Sequence, residues 1–340
     1  MKLGIIGLAQ SGKRTVFEAL TRNPVEPGQL PETQIGMVTV PDIRIDALSR
    51  MYEPEKTIYA QVAYLLPGKG HEKNAEQTVW TQVRDCDALI HVVRNFASYG
   101  MEKPSAIDDF KTLDQELILS DLVVAEKRLE RIVLDKKRGK KISDEELTLL
   151  EKCKARLEAE TPLRRDPEIS NAPSLRGFAF LSAKPVLVLV NNADEDDALP
   201  PEFSQGPETA MMIKAKLEQE LGQMSEAEAK SFLSEFNITA SAMDRAIEKS
   251  YAILGRISFF TVGKDEVRAW TIRNGTCAVD AAEVIHSDIK KGFIRAEVVS
   301  YDDLMAAGTH AEARKKGTVR LEWKTYIVRD GDIINFRFNV

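Results

Sequence analysis

Glycine, serine and lysine residues that could hold a phosphate group are clustered in the segment GLAQSGKRT, at residues 7–15. Their spacing fits the first seven positions of the pattern GxxxxGK[ST], whose glycines let backbone N–H groups close around phosphate oxygens. Lys13 would neutralise the β- and γ-phosphates of a nucleotide, and a helix beginning there would add the positive end of its dipole. The residues predicted to bind nucleotide here are Gly7, Gln10, Ser11, Gly12, Lys13, Arg14 and Thr15.

The eighth position of the pattern is occupied by Arg14, where a hydroxyl residue that ligates Mg²⁺ is expected. A guanidinium group has no lone pair to donate to a metal. Thr15 comes next, but it projects about 100° further round a helix and cannot simply replace the lost ligand. Two roles stay open for Arg14, because its planar donor group suits phosphate and it can equally point to solvent.

The elements predicted around this loop are those that a phosphate-binding loop needs. An apolar strand covers residues 2–6, and an amphipathic helix begins near residue 15. Two continuous apolar runs, ALIHVV (88–93) and PVLVLV (185–190), predict buried parallel strands joined by helices as βαβ units. The expected fold class is therefore α/β, with a mostly parallel sheet.

The segment 109–165 is rich in Glu, Lys, Arg and Leu, and its apolar residues recur at spacings of three and four. The two apolar seams are formed by Ile118, Leu122, Ala125, Leu129 and Ile132, and by Leu147, Leu150, Cys153 and Leu157. They predict two long antiparallel helices, a coiled-coil hairpin whose turn lies in KKRGKKISDEE (136–146). Its charges are interpreted first as a solvated surface.

After residue 255, five strand-like segments alternate with glycine and aspartate turns. They are ISFFTV, EVRAWTI, GFIRAEVV, KTYIVR and IINFRFNV, with one helix predicted over residues 281–289. This order predicts a small α+β domain. Its 14 Lys and Arg exceed its 12 Asp and Glu, whereas the whole chain has a net charge of −6, an asymmetry that favours an anionic partner.

Composition argues against several classes of protein. Three cysteines far apart in sequence cannot build a disulfide framework, and no Cys/His spacing predicts zinc, so no metal site is assigned. No apolar run approaches the roughly 20 residues of a membrane span. The N-terminus lacks the features of a signal peptide. A cytoplasmic protein with no membrane partner is expected.

These segments together resemble the YchF / Obg-like ATPase family, a branch of the translation-factor GTPases, over nearly the whole chain. GLAQSGKRT is similar to the family's GLPNVGKST, and VPDIRIDAL (40–48) to its VPDPRLDAL. The longest similar segments are SFFTVGKDEVRAWTIRNGT (258–276), IHSDIKKGFIRAEVVSYDDL (285–304) and YIVRDGDIINFRFNV (326–340). The resemblance implies a Ras-like P-loop G domain (1–108 and 166–255), a helical coiled-coil insertion (109–165) and a C-terminal ubiquitin-like, β-grasp TGS domain (256–340).

The resemblance also implies binding of ATP in preference to GTP, at a position where other GTPases carry NKxD. The corresponding stretch here is NNAD, so Asn191, Asn192 and Asp194 are predicted to bind the nucleotide. Because Asp194 could accept hydrogen bonds from guanine, both ATP and GTP remain candidate ligands, with ATP preferred. A TGS domain and a helical hairpin imply contact with the ribosome or RNA. Candidate phosphate contacts are Arg314, Lys315 and Lys316.

The family's Mg²⁺ ligands are altered at all three side-chain positions. Besides Arg14, the second-switch DxxG is replaced by LLPGK (65–69), and the first-switch threonine falls near Leu30, with Thr33 out of register. The sequence therefore does not support Mg²⁺ binding, and no catalytic residue is assigned. His71 is the one titratable group near the second switch that could polarise water. His91 and His286 are predicted to be structural.

Three functions are compatible with these features. The leading prediction is a nucleotide-binding, ribosome-associated regulator whose hydrolysis is weak or lost, because phosphoryl transfer depends on Mg²⁺. One alternative is a working ATPase whose metal site is rebuilt from Glu32 or Asp42. The other is a scaffold, a pseudo-GTPase that binds a ribosomal or protein partner without nucleotide.

Overall fold

The computed structural model describes residues 1–24, 32–68, 75–97, 104–235 and 241–339. The chain divides into two units, one made of Met1–Val38 and Ala63–Ala246, the other of Thr39–Val62 and Ile247–Val340. The predicted domain boundaries assign residues 39–62 to the G domain. In the structure these residues belong to the second unit, where strand β3 (Lys56–Ile58) pairs in parallel with strand β9 (Glu266–Arg273).

The first unit is built on a six-stranded sheet. Its strands are β1 (Lys2–Ile6), β2 (Gln34–Thr39), β4 (Gln61–Leu66), β5 (Ala88–Asn95), β6 (Val186–Asn192) and β7 (Thr209–Ile213), in the order β2-β4-β1-β5-β6-β7. Strand β1 pairs in parallel with β4 and β5, and β6 pairs in parallel with β5 and β7. The two central strands β5 and β6 are apolar and buried almost throughout, as a sheet covered on both faces requires. The predicted α/β fold class is confirmed.

The first unit also contains helices. They are α1 (Lys13–Thr21), α3 (Ala75–Arg84), α4 (Ala106–Lys137), α5 (Asp144–Glu158), α6 (Pro167–Ser170), α7 (Pro201–Ser204), α8 (Ala215–Gln223) and α9 (Glu226–Glu235). Helix α10 (Ala242–Ile253) begins in this unit and ends in the second. Although α4 has 32 residues, neither it nor any other helix of the described residues combines the length and the apolar character that crossing a membrane requires.

Helix α4 belongs to two hydrophobic cores. Its first turns, with Phe110 and Leu117, pack into the core of the sheet, whereas its later turns pack against α5. All nine predicted seam residues lie in or against this second core, which confirms the two helical patterns. The second core also continues past the predicted end of the insertion, because Ile169, Leu175 and Phe180 are part of it.

Asp121 of α4 is a fully buried carboxylate where the two cores meet. It accepts hydrogen bonds from the backbone N–H groups of Leu181 at 3.0 Å and Ser182 at 2.6 Å. The guanidinium group of Arg84, at the end of α3, lies 3.2 Å away. Burial raises the pKa of Asp121, and these donors oppose the rise. The carboxylate therefore joins α3, α4 and the segment before β6.

The second unit contains a second six-stranded sheet. Its other strands are β8 (Arg256–Val262), β10 (Phe293–Ser300), β11 (Arg320–Glu322) and β12 (Asp332–Phe338), in the order β11-β10-β12-β8-β9-β3. Its helices are α2 (Ile43–Tyr52), α11 (Ala278–Ile285), α12 (Ser287–Lys291), α13 (Tyr301–Ala307) and α14 (His310–Lys315). The β8–β9 and β10–β12 pairs are antiparallel, whereas β8 and β12 pair in parallel. One face packs against α11, as expected for the predicted α+β, β-grasp arrangement.

Two local predictions in this unit are wrong. KTYIVR (324–329) is not a strand, because a turn closed by the N–H of Tyr326 and the carbonyl of Trp323 interrupts it, leaving an isolated bridge between Ile327 and Cys277. The fourth strand is β11 instead. The helix predicted over 281–289 is two helices, because His286 has an extended backbone and its Nδ1 accepts the N–H of Asp288 at 3.2 Å, capping α12. This capping gives His286 the structural role expected of it.

Candidate functional site

The Gly7–Thr15 loop joins the carboxyl end of β1 to the first turn of α1. Gly12 precedes the helix with φ 90°, and Gln10 has φ 61°, so the backbone turns sharply twice before the helix begins. Within the described residues, no side chain caps the N-terminus of α1. The first N–H groups of the helix thus lack the usual capping partner and face the region where an anion would bind.

Close packing makes the glycines of this loop obligatory. A Cβ atom added to Gly12 would lie 2.3 Å from Nδ2 of Asn191, and one added to Gly7 would lie 2.6 Å from the carbonyl oxygen of Val92. The Ser11 hydroxyl is buried and has no hydrogen-bond partner among the residues that the structure describes. A tight glycine loop that holds a buried, unsatisfied hydroxyl fits a phosphate ligand.

The two basic residues of the loop point in different directions. Lys13 Nζ donates a hydrogen bond to the carbonyl of Leu8 at 3.0 Å, which folds the ammonium group back over the loop. Arg14 Nε lies 3.0 Å from Oε1 of Glu18, one helical turn further on, and Glu18 also accepts a hydrogen bond from Gln219. In the structure the guanidinium of Arg14 pairs along the helix with Glu18, and its contact with phosphate stays a prediction.

Asn191 connects the loop to a distant part of the first unit. Its Nδ2 donates to the carbonyl of Ser11 at 3.2 Å, and its Oδ1 accepts the backbone N–H of Ala215 at 3.0 Å. Both ends of the buried amide are therefore used to hold the loop against the start of α8. The structure thus places Asn191 at the predicted site, in a positioning role.

Asn192 is turned away from the loop. Its Nδ2 donates to the carbonyls of Asp196 and Ala198 at 3.1 and 2.8 Å, and its Oδ1 accepts from Asn95 at 2.9 Å. These bonds fix the turn after β6. Asp194 is exposed on that turn. Of the three predicted residues, only Asn191 hydrogen-bonds the phosphate loop, and base contact by Asp194 stays a prediction.

Gln82 of α3 joins the two predicted switch segments. Its Oε1 accepts a hydrogen bond from the Thr33 hydroxyl at 2.8 Å and from the backbone N–H of Gly68 at 3.0 Å. Sequence reasoning missed Gln82, since no local pattern marks a residue whose partners lie 49 and 14 positions away. Leu30, Lys69 and His71 lie outside the described residues.

The residues at the family's metal positions do not fit Mg²⁺. Leu65 and Leu66 are 3% and 7% exposed. These buried apolar side chains lie where the family's second switch would supply a carboxylate. Asp42 uses both carboxylate oxygens on the guanidinium of Arg44 and caps α2 through the N–H of the same residue. Glu32 is exposed. Clusters of three or more His, Cys, Asp or Glu able to hold a metal are absent from the described part of the chain.

His91 is a core residue of β5, as predicted. It is 2% exposed and its ring centroid lies 5.1 Å from that of Phe110. Burial and, to a smaller extent, the positive charge of Arg164 together lower the pKa of His91 to about 3. The imidazole is therefore neutral at physiological pH, in a structural position.

Every member of the basic triplet after α13 has a partner within the second unit. Arg314 binds the buried carboxylate of Glu297. Lys315 Nζ lies 2.6 Å from Oε1 of Glu312, and Lys316 Nζ donates to the carbonyl of Ala306 at 3.1 Å. Their contact with phosphates stays a prediction, and these internal pairs already use part of the hydrogen-bonding capacity of each side chain.

Comparison with known proteins identifies the family. A family model named YchF-GTPase_C, described as a protein of unknown function (DUF933), matches residues 256–339. The Ribosome-binding ATPase YchF of Bacillus subtilis is 36% identical, with 99% of each chain covered. That of Escherichia coli O157:H7 is 33% identical and covers 100% of this chain and 99% of its own. The solved structure of the Schizosaccharomyces pombe YchF GTPase has a TM-score of 0.85 at 29% identity and covers 99% of this chain and 97% of that one. The chain therefore belongs to the YchF family.

Proposed function

We propose that this chain binds a purine nucleotide, ATP in preference to GTP, at the Gly7–Thr15 loop, and that it acts as a cytoplasmic, ribosome-associated regulator with weak or lost hydrolysis. The observation that carries nucleotide binding is the geometry of Gly12, which has φ 90° and no room for a Cβ, directly before the uncapped N-terminus of α1. Relatives named as ribosome-binding ATPases and as a GTPase support the nucleotide and the ribosome as ligands.

The loop changes little when phosphate binds. Lys13 Nζ exchanges a neutral carbonyl acceptor, the oxygen of Leu8, for an anionic phosphate oxygen, which forms a stronger, charge-assisted bond. Asn191 already holds the loop in place, so no ordering cost is added there. Of the three residues predicted to bind the base, Asp194 is the exposed one left to contact it, since the side chain of Asn192 is bonded within its own turn.

Weak or lost hydrolysis follows from the side chains around the phosphates. In P-loop enzymes a metal ion bridges the β- and γ-phosphates and neutralises the charge that develops in the transition state. Here Arg14 stands in place of the hydroxyl ligand and pairs with Glu18, while Leu65 and Leu66 are buried at the second switch. Binding is therefore proposed to depend on the backbone and on Lys13, with little contribution from Mg²⁺.

Calorimetric titration tests this proposal. ATP, GTP and their diphosphates are titrated into the full chain with and without Mg²⁺, beside the variant Lys13→Ala. Dissociation constants in the micromolar range or weaker are expected, changed little by Mg²⁺ and strongly weakened in the variant. Absence of binding by all four nucleotides would rule the proposal out.

Two further measurements separate the alternatives. Sustained phosphate release that Lys13→Ala abolishes would favour the working ATPase. Co-sedimentation with ribosomes at rising salt, with and without nucleotide, tests the partner, since phosphate contacts weaken steeply with salt. A ribosome signal unaffected by nucleotide and by Lys13→Ala would favour the scaffold.

A further inference from the structure

One face of the second unit's sheet carries an exposed indole in a row with two guanidinium groups. Arg295 of β10 lies opposite Arg337 of β12 in the strand register. Its guanidinium carbon also lies 4.0 Å from the ring centroid of Trp323, which directly follows β11. Residues directly opposite each other on antiparallel strands point to the same face. Trp323, Arg295 and Arg337 therefore form one row across three neighbouring strands.

The next row on the same face is organised around a buried carboxylate. Glu297 lies opposite both Leu321 and Asn335. Its side chain is 2% exposed and binds Arg314 and Arg337, so the carboxylate charge is already compensated. Arg295, two residues before Glu297 on the same face of β10, adds a further positive charge, so this face carries three arginines and one acid.

These groups are open to solvent. Trp323 is 61% exposed and Leu321 is 47% exposed. The side chains of Arg314 and Arg337 are 61% and 52% exposed, so each could reach a ligand while one nitrogen stays on Glu297. Arg295 covers one face of the indole, and the exposed fraction of the ring leaves the other face for a ligand.

We propose that this face, formed by Leu321, Trp323, Arg295, Arg337 and Arg314 and called here the Trp323 platform, binds an unpaired nucleotide of RNA. The base stacks on the open face of Trp323, and Arg337 and Arg314 hold the flanking phosphates. An aromatic side chain on an open sheet face beside arginines is how many proteins bind single-stranded RNA, since unstacked bases offer their faces. This inference rests on the proposed ribosome association and names the contact that makes it.

The charge and shape of the platform decide between kinds of partner. A basic protein segment would be repelled by three arginines, and an acidic one would gain nothing from the indole beyond hydrophobic contact. Double-stranded RNA keeps its bases stacked and presents mainly phosphates and 2′-hydroxyls. An unpaired nucleotide uses both the indole and the positive charges.

Tryptophan fluorescence of the full chain, titrated with a single-stranded oligoadenylate RNA, tests the proposal. The chain has three tryptophans, so Trp323→Phe identifies the signal of Trp323. Binding is expected to quench the wild-type signal, to persist without that quenching in Trp323→Phe, and to weaken by roughly 5- to 150-fold in Trp323→Ala, as for the loss of one stacked base. Affinity in Trp323→Ala is measured by anisotropy of a labelled RNA.

A matched control exists on the opposite face of the same sheet. Arg268 lies 3.9 Å from the ring of Trp270, a second arginine–tryptophan pair, and the alternation along β9 places this pair on the side of the core residue Phe259. Arg268→Ala is expected to leave RNA affinity unchanged, whereas Arg295→Ala weakens it. Duplex RNA and inorganic polyphosphate serve as competitors and are expected to displace the oligonucleotide poorly.

The possible outcomes are distinct. Equal affinity of wild type and Trp323→Ala, or full displacement by polyphosphate, overturns the platform, since binding would then depend on charge alone. If the oligonucleotide does not bind, yet Trp323→Ala loses ribosome co-sedimentation, the face contacts a protein. That result overturns the platform and leaves the proposed function standing. If the wild type binds RNA through Trp323 but does not sediment with ribosomes, the ribosome assignment fails and the platform stands. Nucleotide calorimetry on the same variants confirms that the first unit is intact.

Discussion

The phosphate loop and the Trp323 platform are built in opposite ways. The loop consists of one continuous backbone segment, and its proposed function depends on side chains being absent at Gly7 and Gly12. The platform consists of large side chains gathered from three strands and a helix, and one of them, Arg295, lies next to a register shift between β10 and β12. A site made of backbone tolerates no added atoms. A site made of side chains tolerates substitution by a similar group. Truncating a side chain there lowers the affinity by the contribution of the group removed.

The largest effect that tests this contrast is expected at Gly12. In Gly12→Ala the new methyl group meets Asn191 Nδ2 at 2.3 Å, and the φ of 90° is unfavourable for any residue with a Cβ. The loop must open or lose its bond to Asn191, so ATP affinity should fall by about 100-fold or more, some 3 kcal/mol. Calorimetric titration measures this loss.

Gly139 provides the matched control, because it also has a positive φ, 72°, but an added Cβ would meet nothing within 4 Å. Gly139→Ala therefore carries the backbone strain alone, about 1 kcal/mol, and should leave ATP affinity unchanged. If Gly12→Ala binds ATP as well as Gly139→Ala does, close packing is not what defines the loop.

The two units should also differ in their response to acid. His91, behind the loop, has a pKa of about 3 in the folded chain, against an ordinary value near 6.5. Below that ordinary value His91 binds a proton in the unfolded chain but not in the folded chain. The free energy of unfolding therefore falls by about 1.4 kcal/mol for each unit that the pH is lowered, until pH 3 is approached. In His91→Phe the loss of unfolding free energy between pH 7.5 and 5 should be about 2 kcal/mol smaller. Denaturant unfolding at both pH values measures it, and an unchanged pH slope would contradict it.

A smaller effect, at lower pH, is expected in the second unit. Burial alone would raise the pKa of Glu297, but Arg314 and Arg337 outweigh it, so the folded value is lowered. Stabilisation by this carboxylate is then complete above its ordinary pKa and disappears as pH falls through the lower folded value. Glu297→Gln should cost about 1 kcal/mol at pH 7, because both arginines are more than half exposed and regain water.

Denaturant unfolding of the wild type and of Glu297→Gln should converge as pH falls below the lowered folded pKa of Glu297. Glu312→Gln removes an exposed partner of Lys315 and should change stability by less than about 0.5 kcal/mol. A difference for Glu297→Gln that persists unchanged in acid would show that packing, and not charge, holds this carboxylate.

The smallest predicted change restores a metal ligand. Arg14→Ser completes the GxxxxGK[ST] pattern at the cost of an exposed i,i+4 pair with Glu18, about 0.3–0.5 kcal/mol. Mg²⁺ should then raise ATP affinity by a few fold, about 1 kcal/mol, whereas it should have little effect on the wild type or on Arg14→Ala. If Mg²⁺ acts on none of the three, the lost carboxylate at the second switch suffices to abolish the metal site.

Features that depend on neighbouring residues were predictable from the sequence. The loop, strands β5 and β6, and the seams of α4 and α5 follow from glycine spacing, apolar runs and helical periodicity. Features that depend on register or on distant partners were not. Asp121 meets Leu181 and Ser182 across 60 and 61 residues. Asn192 lies in the motif predicted to bind the base, yet its side chain holds its own turn. The platform appears only once β11, β10 and β12 are in register.

The length of α4 gives the first unit a mechanical property. At about 1.5 Å per residue, the 16 residues from Asp121 to the end of the helix span about 24 Å, so a helix that tilted about Asp121 as a pivot would have a long lever arm. A tilt of about 5° at this pivot displaces the far end by about 2 Å. Arg84, the last residue of α3, contacts the same pivot. A rotation of α3 transmitted through this contact would therefore displace the turn at residues 138–143 by more than Asp121 itself moves.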